Sequence, residues 1–315
     1  MSVGIKSIAS YIPDHCLGNK ELQLRLNVKE SFLKEKLGIE TRTISPPEFA
    51  ASDLAIRAGE KIFCQGLKKE DVDLLIICTQ NPDYKLPNTA SIVQDKLGLP
   101  NSLTSFDISQ GCSGFIYSLA VAKSMMKVLH YRNALVITAD PYSKIIQKSD
   151  KNTVLLFGDA AAAVWISDKS NNEFLSFSFG TDGSGFDKLI VKGGGSRHPF
   201  SVNPNKKDND DCFLRMDGRA IYEFMMTRVP VDIEKCLQKN DLSIEKIDYF
   251  IFHQASLYML NSLQKYMKIP DQKMVYHMKH TGNTVSSSIP LALEDLLQRE
   301  NLQNKNILLS GFGVG

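Results

Sequence analysis

Asp73-Leu74-Leu75-Ile76-Ile77-Cys78-Thr79-Gln80 decides the fold, because the chain writes this pattern twice. Asp248-Tyr249-Phe250-Ile251-Phe252-His253-Gln254 repeats it: an acid, a continuous apolar run, then a polar cluster. A short run without polar alternation is the signature of a strand buried on both faces, as in sheets covered by helices. Working outward, each run is followed by an amphipathic stretch of helical period, 90–97 in the first case and 257–267 in the second. Phe106-Asp-Ile-Ser-Gln-Gly-Cys112 and Tyr276-His-Met-Lys-His-Thr-Gly-Asn283 come next, each opening a further helix. A third apolar run closes each set, Arg132 to Ile137 and Lys305 to Ser310. The intervals agree: 39 residues from Asp73 to Cys112 against 35 from Asp248 to Asn283, then 21 to Asn133 against 23 to Asn306. Ordered landmarks at matching intervals predict two copies of one α/β unit with mixed sheets. The first copy is expected over 1–170 and the second over 171–315. The polar, glycine-rich stretch from Gly193 to Asp211 reads as a long surface loop.

Composition narrows the function classes. The 315 residues are 43% hydrophobic and 23% charged, with a net charge of +2 and no clustering of lysine and arginine. Nucleic acid is not expected as a partner. No apolar run has the length of a membrane span, and no basic-then-apolar leader opens the chain, so a soluble cytoplasmic protein is expected. The six cysteines, at 16, 64, 78, 112, 212 and 236, never form a C-x-x-C pair, which argues against structural zinc and against a disulfide framework. His277 and His280 lack a sensibly spaced third ligand, so no metal is expected.

Cys112 stands where a strand-like run ends and a helical pattern begins, between the small residues Gly111, Ser113 and Gly114. Phe115, Ile116, Leu119, Ala120 and Val128 continue at helical spacing. A thiol near a helix start faces unpaired N–H groups and the positive end of the dipole, both of which favour thiolate. Taken singly, Cys112 is a small core residue, His253 a strand-end histidine and Asn283 a helix cap. In a duplicated frame, however, Cys112 and Asn283 hold equivalent places and His253 follows the second unit's first strand. The three can therefore meet. Cys, His and Asn together suit acyl transfer through a thioester, with the oxyanion held by backbone donors. The expected donors are the N–H groups of Cys112 and Val314, the latter in the glycine-rich turn Gly311–Gly315. A neutral histidine and an asparagine amide could then stabilise an enolate left by loss of CO2.

These segments resemble the condensing enzymes of the thiolase superfamily, most closely the β-ketoacyl-acyl carrier protein synthase III group. The residues that carry the resemblance are Gly111-Cys-Ser-Gly-Phe115, Phe157-Gly-Asp-Ala-Ala-Ala162, Met216-Asp-Gly218, His253-Gln-Ala255, Gly282-Asn-Thr284 and Gly311-Phe-Gly313. It covers essentially the whole chain. It implies a five-layered αβαβα thiolase fold, a homodimer, and a ping-pong Claisen condensation. Cys112 would take the acyl group of an acyl-coenzyme A primer; His253 and Asn283 would support decarboxylation of malonyl-acyl carrier protein. No cofactor is implied beyond coenzyme A as the substrate's thioester. The His/Asn pair points to the decarboxylating branch, since biosynthetic thiolases use a second cysteine as base.

The departures concern substrate. Phe32, Lys36 and Lys151 align where the group often has tryptophan and two arginines that hold the adenine end of coenzyme A, and lysine lacks the planar fork of arginine. Ser256 stands where the housekeeping enzymes usually have asparagine, and Tyr258 and Glu223 where they tend to present basic residues to the acidic carrier. A divergent member of a fatty-acid, specialised acyl or polyketide pathway is expected. The acyl pocket is expected near Leu86 to Thr89, Tyr142 and the loop from Lys192 to Phe200. Two other readings compete: a transferase of the same fold that passes the Cys112-bound acyl group to an oxygen or nitrogen acceptor, and a subunit of a heteromeric condensing enzyme. Gly311 to Gly315 resembles the start of a turn that the family follows with a final strand, which leads to the expectation that residues beyond Gly315 are missing from this sequence.

Overall fold

Leu75 and Ile77 must leave a strand on the face opposite to Leu74 and Ile76, and this alternation builds the molecule. In the computed structural model, residues 2–199 and 210–314 are described; the expected surface loop and pocket wall therefore lie partly outside them, at 200–209. The first sheet comprises β1 (Gly4–Tyr11), β2 (Leu74–Cys78), β3 (Thr104–Ile108), β4 (Asn133–Ala139) and β5 (Ala161–Ser167), in the order β1-β5-β4-β2-β3. β2 runs parallel to both β3 and β4, while β5 is antiparallel to β4 and to β1. In the second half β6 (Tyr249–Phe252) runs parallel to β7 (Ile307–Ser310), and Phe250 forms a parallel bridge to Met274 on its other side. The order 274-β6-β7 thus repeats β3-β2-β4, as the duplicated spacing predicts.

Three large apolar clusters lie between five layers, the middle one serving both sheets. Leu75, Ile77, Leu135 and Ile137 pack against α1 (Ala51–Phe63) and α2 (Thr89–Leu97), through Leu54, Ala58, Ile62, Val93 and Leu97. Leu74, Ile76, Val136 and Val164, on the opposite face, meet α3 (Gly114–Leu129) through Phe115, Leu119, Ala122 and Met126. In the same layer lies α6 (Ser288–Arg299), contributing Ile289, Ala292, Leu293 and Leu296, and beyond both helices lies Ile251 of the second sheet. Phe250 and Phe252 point away from that layer to α4 (Gly218–Lys239) and α5 (Leu257–Met267). The αβαβα expectation holds, and the middle helices serve both sheets.

Two expectations are corrected. Val128 is 74% exposed, and Met126 takes the place expected of it, because the apolar stripe of α3 runs 115, 119, 122, 126. The segment 276–283, matched in sequence to Phe106–Cys112, forms no strand. Its carbonyls turn instead to the residues around Thr41: Glu40 N–H donates to Lys279 at 2.7 Å and Thr41 Oγ1 to His280 at 2.8 Å.

Candidate active site

The ends of β2, β4, β6 and β7 lead into the loops that carry the polar residues, so the site collects at one end of both sheets. Cys112 lies two residues before α3 and is 4% exposed. Glycines surround it because nothing larger fits. A methyl at Gly313, whose φ is +139°, would stand 2.9 Å from both Cβ and Sγ of Cys112; one at Gly311 would stand 2.9 Å from its carbonyl oxygen. One at Gly111 would meet Gln80 Oε1 at 2.4 Å and Val314 at 2.7 Å. The turn 311–314 is therefore pressed onto the thiol, and the backbone of Val314 hydrogen-bonds it, as does that of Cys112 itself. They are the two backbone groups that the sequence puts forward as oxyanion donors.

The thiol is not the pre-formed thiolate that a helix start suggests. Burial, and then the Asp140 carboxylate, push Cys112 up to about 12 against the pull of those two backbone groups. Asp140, at the end of β4, is itself buried and pushed up to about 6 by desolvation, although it accepts hydrogen bonds from Gln80 N–H at 2.8 Å, Thr79 Oγ1 at 3.3 Å and the Ser286 hydroxyl.

His253 leaves β6 with its N–H on the Ser310 carbonyl at 2.9 Å. Its ring packs edge-on to Phe312 at 5.7 Å, which ties it to the same turn that covers Cys112. It is 2% exposed, and burial pushes it down to about 3, with the Val285 backbone opposing, so the ring is neutral. Asn283 Nδ2 lies 3.3 Å from His253 Nε2. Asn283 is held by its own backbone, which donates to Leu156 at 2.9 Å and accepts from Gly158 at 3.0 Å. Gly158 allows this approach, since a methyl there would stand 2.0 Å from the Thr281 carbonyl oxygen. Cys112 and His253 thus both border the turn 311–314, and Asn283 meets the His253 ring.

The expected substrate-binding residues have different surroundings. Phe32 and Lys36 sit on a wide helical turn, Phe32–Leu37, a π-type distortion often found at functional sites. That turn closes on Gly38, where a methyl would stand 2.5 Å from Leu257 Cβ, so it is clamped to the start of α5. Phe32 is 43% exposed, and the Lys36 ammonium lies 4.6 Å from the Tyr258 ring centroid. Tyr258 stacks on Tyr222 at 5.5 Å, and Glu223 pairs with Arg219 at 2.8 Å. Lys151 opens the short helix Lys151–Val154 and is exposed. Ser256 is committed to capping α5, its Oγ accepting the Met259 N–H at 3.3 Å. Of the expected pocket residues, Tyr142 is buried, within 5.3 Å of Phe157, and donates to Gln80 Oε1 at 2.9 Å; Leu86 is 87% exposed. Asp140 and Ser288 were missed: a lone aspartate or serine at an element boundary carries no sequence signal. No group of three or more His, Cys, Asp or Glu positioned for a metal occurs among the described residues.

Comparison with known proteins bears on this geometry. Residues 106–183 match the family described as 3-Oxoacyl-[acyl-carrier-protein (ACP)] synthase III, and 237–315 match its C-terminal region. A β-ketoacyl-[acyl-carrier-protein] synthase III of Streptococcus mutans is 36% identical over 315 residues, covering 99% of this chain and 95% of its own. The synthase III of Clostridium perfringens is 37% identical over 308 residues, covering 97% and 94%. A crystal structure of a 3-oxoacyl-(acyl-carrier-protein) synthase III superposes with a TM-score of 0.94 at 37% identity, covering 100% of this chain and 97% of its own.

Proposed function

Because the chain belongs to the 3-oxoacyl-[acyl-carrier-protein] synthase III family, we propose that it is an acyltransferase that condenses an acyl-coenzyme A primer with malonyl-acyl carrier protein. Cys112 Sγ attacks the primer's thioester carbon, and the oxyanion forms between the N–H groups of Cys112 and Val314. Coenzyme A leaves with the thiol proton. The malonyl thioester then loses CO2, and the electron pair of the broken C–C bond becomes an enolate whose oxygen faces His253 and Asn283. Its carbon attacks the acyl-cysteine, Cys112 leaves as thiolate, and a 3-oxoacyl thioester remains. The observation that carries this reading is the buried His253–Asn283 pair, 3.3 Å apart, with a ring kept neutral. A protonated histidine would lose its proton to an enolate; a neutral one serves as a donor that is not consumed.

Phe32, Lys36 and Lys151 are the candidates for holding coenzyme A, by stacking and charge. A homodimer is supported by β3, the outer strand of the first sheet among the described residues. Asp107 on that strand accepts the Thr89 N–H at 2.7 Å, which ties the exposed Leu86 loop to the same edge. A cytoplasmic site is supported by six cysteines without a disulfide among them. No helix of the described residues is long and apolar enough to cross a membrane. Native and intact-protein mass spectrometry after incubation with a panel of acyl-coenzyme A thioesters tests both proposals. The expected result is a two-chain particle with one acyl group per chain, absent in Cys112→Ser. Persistent acylation of that variant would overturn the nucleophile, and a single-chain mass the dimer.

A further inference from the structure

The condensing reading above rests on a histidine that donates from Nε2, and the hydrogen bonds around the ring decide which nitrogen holds the proton. His253 Nδ1 lies 2.7 Å from Ser288 Oγ, and the same oxygen accepts the Gln254 N–H at 3.3 Å. Both side chains are buried, each 2% exposed. A hydroxyl offers one proton and two lone pairs. With a proton on Nδ1, Ser288 Oγ would accept twice and its own proton would have no acceptor among the described hydrogen bonds. The Val285 carbonyl accepts the Ser288 N–H, and the described partners of the Ser288 hydroxyl are His253 Nδ1 and the Gln254 N–H. A buried orphan donor is costly. With Ser288 donating to Nδ1, the hydroxyl, Nδ1 and the Gln254 N–H are all satisfied, and the ring's one proton sits on Nε2, where it and the Asn283 amide are left for an acceptor that the substrate supplies.

On the other side of the pair, Asn283 Oδ1 accepts the Val285 N–H at 2.9 Å, which turns Nδ2 outward. Asn283 Nδ2 and His253 Nε2, 3.3 Å apart, are then two donors. They cannot bond one another; they converge on a shared acceptor. We propose that Ser288 is the positioning residue that locks His253 in its Nε2-protonated tautomer, and so makes His253 and Asn283 a two-donor cradle for the enolate oxygen of the malonyl thioester. The serine run supports this role. The Ser286 hydroxyl donates to Asp140, and Ser287 Oγ lies 3.2 Å from the carbonyls of Thr138 and Ala160. Two serines anchor the turn to the first sheet, and the third reaches the ring.

The test compares wild type, Ser288→Ala and Ser288→Thr by three readouts: acylation of Cys112 by an acyl-coenzyme A, CO2 release from malonyl-acyl carrier protein, and the 15N resonances of the His253 ring. Ser288→Ala is expected to acylate fully while releasing CO2 about a hundredfold more slowly, with its ring proton moved to Nδ1. Ser288→Thr restores the hydroxyl and is expected to recover most of the rate and the Nε2 tautomer. An Nδ1-protonated ring in the wild type, CO2 release by Ser288→Ala at the wild-type rate, or a Thr variant no better than Ala would each overturn the assignment. Should Ser288→Ala lose acylation as well, the ring spectra of wild type and Ser288→Thr still decide. A wild type that releases no CO2 would remove the condensing reading by itself, leaving the tautomer to be judged by its spectrum.

Discussion

At Cys112 two tendencies oppose each other. The backbone groups of Val314 and Cys112 favour the anion, while burial and the Asp140 carboxylate disfavour it, and the outcome is a thiol pushed up to about 12. Around neutrality the nucleophile is therefore protonated and must lose its proton as it attacks. If free thiolate limits acylation, the rate rises by about tenfold per pH unit while pH stays below the thiol's own value. The expected single-turnover profile climbs from pH 7 to 9 without a plateau. A plateau near neutrality would mean that the primer's arrival displaces the proton by another route. Asp140 sharpens the contrast, since it makes the thiol harder to ionise while fixing Gln80 and Ser286 in place.

Elements act here mainly by close approach. The turn 311–314 has no side chain to spare at Gly313, where φ is +139° and a methyl would stand 2.9 Å from the Cys112 sulfur. Gly313→Ala must move the turn, and with it the Val314 donor. Acylation is expected to fall about a hundredfold, the usual cost of displacing a catalytic group by roughly an ångström, with a stability loss of about 1–3 kcal/mol from the strained backbone; an unaltered acylation rate would show that the turn is not part of the oxyanion site. Much of this level was legible in the sequence. The runs at 74–78 and 249–252 are buried strands, and 257–267 is a helix over those residues, because local periodicity and neighbouring polar residues fix such elements. What stayed hidden depends on contacts across the chain. Ser288 reaches His253 over 35 residues, and Ser286 reaches Asp140 over 146. Position in the duplicated frame singled out Cys112, His253 and Asn283; no periodicity could point to Ser288 or Asp140, whose contacts with these segments cross the chain. The thiol's ionisation was likewise misjudged, because a helix start is visible in sequence and the depth of burial is not.

For the molecule as a whole, burying neutral His253 makes stability depend on pH. The unfolded chain binds a proton near 6.5, whereas the folded site resists until about 3. The unfolded state therefore holds more protons in that window, and stability falls as pH drops from 6.5 to 3, by on the order of 5 kcal/mol. Asp140 acts with the opposite sign: its folded value of about 6 exceeds the ordinary 3.8, so protonation there favours the folded chain as pH falls. The urea midpoint of His253→Gln is expected to fall less than that of the wild type between pH 7 and 4.5; parallel declines would place the acid sensitivity elsewhere. The shared middle layer has a consequence for biosynthesis. Val3, Ile8, Leu74, Ile76 and Val164 lie under helices that include residues 288–299, which are made more than a hundred residues after the sheet's last strand. During translation the first sheet therefore leaves the ribosome with part of its inner face bare until residues 288–299 follow it, an interval in which exposed apolar surface favours aggregation.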